Sequence, residues 1–66
     1  MPEVSVTVSY DRGDGWGCGA FEVWRGEAEP ARLAAAVALA SRAAASRVAE
    51  GCRSAGVRIE AVGAGA

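Results

Sequence analysis

Residue types that usually carry chemistry are sparse in this chain. Two cysteines, Cys18 and Cys52, stand without a single histidine. They fall on different expected elements and form no CxxC pair, which removes zinc fingers, thioredoxin-like exchange and every histidine-dependent triad. The expectation is two buried thiols, the usual state of cysteine in a reducing compartment. Asp11 and Asp14 flank a glycine-rich loop, yet a calcium loop needs oxygen ligands at five or more positions and a closing glutamate. No catalytic residue, metal site or cofactor loop is therefore expected.

Recognition is better supplied. Trp16 and Trp24 bracket a candidate strand that also holds Glu22 and Arg25, and tryptophan and arginine are frequent interface anchors. Strict alternation places both tryptophans on one face, so Trp16, Glu22, Trp24 and Arg25 form the candidate protein-binding patch. The competing reading is that the rings only cover the back of a hairpin. A second set, Arg42, Arg47 and Arg53, could contact phosphates if doubled by a dimer. Seven arginines against eight acids leave a net charge of −1, whereas a dedicated nucleic-acid binder carries a basic surface.

The elements that position these residues follow from periodicity. Val4, Val6, Val8 and Tyr10 alternate with Ser5, Thr7 and Ser9, a strand with one wet face. Residues 11–15 gather Asp and Gly and read as a hairpin loop. A second strand is predicted over residues 16–25, with Phe21 and Val23 joining the valines. After a short connection, Pro30 suits the first turn of a helix, with Glu27 and Glu29 near the positive end of its dipole. Val57, Ile59 and Ala61 then alternate with Arg58 and Glu60 as a third strand. Residues 63–66 read as a frayed tail on one domain spanning residues 1–66.

The helix is predicted over residues 29–56, roughly 39 Å at 1.5 Å per residue, with Gly51 an interior weak point and Gly56 its cap. Leu33, Val37, Ala40, Ala44, Val48 and Ala55 share the face toward the sheet. Arg32, Arg42, Arg53 and Glu50 lie opposite, with Leu39 an exposed apolar residue among them. A second stripe, Ala34, Ala38, Ser41, Ala45, Ala49 and Cys52, steps by four, three, four, four and three, close to a heptad pattern. Small residues there let a second helix approach closely, so this stripe is the candidate dimer interface. The plainer alternative is that alanine simply favours helix. Arg42 and Arg47 interrupt the apolar run, so no membrane span is expected.

The order strand, strand, helix, strand with a right-handed crossover predicts an α+β fold, ββαβ: a three-stranded antiparallel sheet of order 2-1-3 packed by one long helix. Alanine supplies much of the 52% hydrophobic content, and each Ala in place of Leu forgoes roughly 2 kcal/mol of burial. So thin a core argues for association.

Three local likenesses bear on function. Arg12-Gly13-Asp14 spells the tripeptide displayed by integrin ligands, although the glycine-rich turn accounts for all three residues. Met1-Pro2 ahead of an alternating strand resembles the start of the tautomerase family, which implies Pro2 as an amine base; that family enters its helix directly after strand one, where this chain has a hairpin. More broadly, Val4-Ser5-Val6-Thr7-Val8-Ser9-Tyr10-Asp11, then Gly15-Trp16-Gly17-Cys18-Gly19-Ala20-Phe21, then Leu33-Ala34-Ala35-Ala36-Val37-Ala38-Leu39 is similar to the opening of ribonuclease H-like domains and of HicB-type antitoxins. Asp11 matches the first magnesium-holding acid. Arg32 stands where the helix acid should be, and Glu60 is off pattern.

The sequence therefore predicts a small non-catalytic, cytoplasmic protein-binding module acting as a homodimer. An inhibitor or adaptor of the antitoxin or phage anti-defence type is expected, from a bacterium or its virus. The alternatives are a dimeric nucleic-acid-binding regulator using the helix arginines and a tautomerase-like enzyme using Pro2.

Overall fold

The computed structural model describes residues 2–13, 15 and 17–63. Trp16, Asp14 and the part of the expected tail beyond Gly63 lie outside them. Strands β1 (Glu3–Asp11), β2 (Gly19–Glu27) and β3 (Ser54–Ala61) surround one helix, α1 (Pro30–Ala49), in the order β1-β2-α1-β3. The sheet has the order β2-β1-β3 with both pairings antiparallel. This is the α+β arrangement that the alternating valines and the right-handed crossover predict. β1 is central because its β-branched residues fit a pleat covered on one side: Val4, Val6 and Val8 are buried while Ser9 is exposed.

β2 departs from simple alternation. Val6 pairs with Trp24 but Thr7 pairs with Glu22, so Val23 is an extra residue in a β-bulge. A bulge sets two residues against one and reverses the parity of everything beyond it. Phe21, opposite Val8, and Trp24, opposite Val6, therefore both pack against the core under the helix. Trp24 does not share the open face with Glu22, as strict alternation requires. Gly26 fits the same arrangement, since a Cβ there would lie 2.7 Å from Cζ2 of Trp24. The ring lies along the strand in the space a side chain at 26 would occupy.

The helix begins as expected and ends early. Glu29 is the N-cap; its carboxylate accepts from the backbone N–H of Ala31 at 3.1 Å and of Arg32 at 3.0 Å, with Pro30 at the first helical position. Those two donors, Arg32 first, hold the Glu29 carboxyl below the usual carboxylate range. At the other end Gly51 adopts φ 112°. Its N–H donates to Val48 at 3.0 Å and that of Cys52 to Arg47 at 3.0 Å, the paired bonds of a Schellman motif. Gly51 is thus the terminator instead of an interior weak point, and Gly56 sits in β3 opposite Ser9. The helix has 20 residues instead of the expected 28, about 30 Å of length.

The core is narrow. Val6, Val8, Ala36, Ala40 and Ala44 form its buried centre, with Phe21, Val23, Trp24, Leu33, Val37, Ala43, Ala55 and Val57 packed around them. The sheet-facing row is centred on Ala36, Ala40 and Ala44, so Val48 turns outward at 49% exposure. Methyl groups let the helix lie close to the valines, and the Cα envelope measures 39 × 26 × 10 Å.

Two outcomes check these assignments. Ala40→Leu should force the helix off β1 and cost about 1–3 kcal/mol in urea unfolding, because no space remains above Val6 and Val8. Glu29 has a folded pKa below its unfolded value, so its stabilisation is present above about pH 4.3 and is lost as pH falls through the folded pKa. Glu29→Gln should lower Tm at neutral pH and flatten the loss of Tm between about pH 5 and pH 3.

Candidate functional site

The open face of the sheet carries a compact polar cluster. Ser5 opposes Arg25 and Thr7 opposes Glu22 across the β1–β2 pairing. One carboxylate oxygen of Glu22 accepts from Ser5 Oγ at 2.7 Å, Arg25 Nε at 3.0 Å and Arg25 Nη2 at 2.9 Å. Arg25 first, then Ser5, holds the Glu22 carboxyl below its ordinary range. Ser5 is buried beneath this pair, and Thr7 Oγ1 lies 3.4 Å from its hydroxyl. The arrangement spends its donors on one another and reads as a solvated sheet face. Of the expected binding patch, Glu22 and Arg25 are brought together here, Trp24 lies on the other side of the sheet, and Trp16 is outside the described residues.

The helix arginines separate. Arg47 turns toward the sheet, its guanidinium carbon 5.0 Å from the Tyr10 ring centre and 5.1 Å from that of Phe21. The two rings are 6.4 Å apart and tilted by 50°, so one cation caps an aromatic pair at the end of the core. Arg42 is exposed on the helix and Arg53 follows the helix terminator, where its N–H donates to Asp11 at 2.7 Å. Of the three, Arg42 is the one exposed on α1 itself. The signal for Arg47 was present in the sequence: three residues past Ala44 and eleven past Ala36, it shares the face of the buried alanines, and the last turn of a helix favours a cation.

The row of small residues keeps its place. Ala34, Ala38, Ser41, Ala45 and Ala49 are all exposed along α1. Cys52 does not belong to it, because Gly51 ends the helix first. Neither cysteine is buried as expected: Cys18 is exposed just before β2, and Cys52 is half-buried after the cap. Around Cys52 a shallow cavity of about 400 Å³ is lined by Tyr10, Arg12, Arg47, Glu50 and Gly51.

Large apolar side chains are left in solvent on the helix side of the molecule. Leu39 is 56% and Ile59 is 50% exposed. Ile59 opposes Val6 in the sheet and so faces the helix layer, but α1 does not cover it. Pro2 lies at the far end of β1 from the cavity, exposed, with its carbonyl accepting from Ala28 N–H at 2.9 Å. Among the described residues no cluster of His, Cys, Asp or Glu is arranged to hold a metal. Among them, too, no helix is long and apolar enough to cross a membrane. No protein-family model matches the chain, and no curated protein or solved structure matches it.

Proposed function

We propose that this chain is a non-catalytic protein-binding module that works as a homodimer in the cytoplasm, in the manner of a small inhibitor or adaptor. One observation carries the reading: among the described residues, an aliphatic surface stays in water beside a narrow core. Leu39, Val48 and Ile59 contribute to that surface although all three belong to regular elements. A helix whose sheet-facing side is alanine cannot shield residues beside it, so they await a second polypeptide.

The exposed small-residue row supports helix-to-helix contact as the means of dimerisation, since backbones can approach to 8–10 Å where side chains are short. The antitoxin-like or anti-defence role remains the kind of task that suits such a module. The phosphate-binding reading loses support from the separation of Arg42, Arg47 and Arg53, and no feature around Pro2 favours the tautomerase reading.

Sedimentation velocity at micromolar concentration should give a dimer, and Tm should rise with protein concentration. Ala45→Glu should shift the species to monomer while circular dichroism stays helical. A wild type that sediments as a monomer across that range would remove the homodimer from the reading.

A further inference from the structure

The geometry points to a defined mode of self-association: β3 pairs antiparallel with β3 of a second copy, about a two-fold axis through Ile59, giving a continuous six-stranded sheet. This deepens the homodimer reading and rests on it. Of the two sheet edges, β2 is broken by the bulge at Val23, a common protection against pairing. β3 runs in unbroken register from Ser54 to Ala61 and contains no proline. Among the described residues its outer edge is a regular row of backbone donors and acceptors without bulge or proline, and its charges are one Arg and one Glu of opposite sign.

The direction of those groups restricts the register. Val62 N–H donates to Glu3 at 2.8 Å, so alternate residues Glu60, Arg58 and Gly56 turn their backbone groups toward β1. Ala55, Val57, Ile59 and Ala61 therefore point theirs at the free edge. Two copies can only exchange hydrogen bonds among these residues. A two-fold on Arg58 sets Arg58 against itself, and one on Glu60 sets Glu60 against itself, both repulsive. A two-fold on Val57 faces Arg58 with Gly56, and one on Gly56 faces it with Ser54, neither of them forming a charge pair. A two-fold on Ile59 faces Arg58 with Glu60 of the second copy, twice, and Ile59 with Ile59. Within one chain Arg58 and Glu60 make only a loose, exposed pair at 3.4 Å, which exchanges readily for the cross-strand one.

The helix layer agrees with this register. Arg58 and Glu60 oppose Thr7 and Ser5 on the open face, whereas Ile59 opposes Val6 beneath the helix. The two helices thus lie on the same face of the joined sheet. α1 packs mainly over β1 and β3. Strands about 4.8 Å apart then bring the two helices side by side on that face. Arg47 reaches over the β1–β2 side; about 100° further round, toward β3, come Val48 and Ser41, with Val37, Ala34 and Ala45 within about 40° of Ser41. Those residues would meet their copies directly above the Ile59 pair, covering Val48 and Ile59 together.

Charge exchange tests the register. Arg58→Glu and Glu60→Arg should each weaken the dimer roughly tenfold at low salt, since each variant sets like charges opposite at two symmetric places. The double exchange Arg58→Glu with Glu60→Arg should restore wild-type affinity. An equimolar mixture of the two single variants should form the mixed dimer beyond the statistical share, by native mass spectrometry. In the wild-type dimer the amides of Val57, Ile59 and Ala61 should be slow to exchange with deuterium, and fast in the Ala45→Glu monomer. Single variants that dimerise like wild type, or a mixture without preferential pairing, would overturn this register. If Ala45→Glu still abolishes the dimer in that case, the homodimer stands through another arrangement. A monomeric wild type removes both.

Discussion

The contact between alanine methyls and valines governs this molecule. Ala36, Ala40 and Ala44 lie directly over Val6 and Val8, and nothing larger separates helix from strand. Close approach maximises dispersion per atom but limits the volume of the core. It also leaves the helix too slim to overhang the sheet, so Ile59 stays half in water on its own inner face. Thin packing and exposed aliphatic groups are therefore two results of one choice of residue.

Polar devices hold the periphery where apolar volume is short. The Glu29 cap and the Gly51 terminator satisfy backbone groups at the two ends of the helix. Arg47 extends the core over Tyr10 and Phe21 with its stem and keeps its charge near the negative end of the helix dipole. Ser5, Glu22 and Arg25 tie β1 to β2 on the wet face. Each acts locally, and none demands a partner. Val48 and Ile59 are left exposed on α1 and β3, and Leu39 on the far side of the helix.

Much of the architecture was legible because it rests on strong periodic signals. Alternation in residues 4–10 and 57–61 located two strands, and the alanine-rich stretch located the helix. Chain order with a right-handed crossover then fixed the sheet. The failures were local and have a common cause: a single residue at a backbone irregularity. Gly51 reads equally as a tolerated interior glycine or as a terminator, and only its positive φ decides. Val23 leaves no compositional trace of a bulge, so strict alternation puts Trp24 on the wrong face. Arg47 is a separate case: it reads as a phosphate contact, although it falls three residues past Ala44 on the helical face of Ala36 and Ala40. The candidate site suffered more than the fold because recognition residues depend on facing, which one inserted residue reverses.

That inserted residue has an evolutionary corollary. Val23 works as a phase shifter between two halves of β2, the first in step with Phe21 and the second with Trp24. Removal of Val23 would leave Glu22 against Thr7 and Trp24 against Val6 in unbroken alternation, so both halves would keep their faces and only the bulge would go. The rim of β2 would then be as even as that of β3 and as ready to accept a foreign strand.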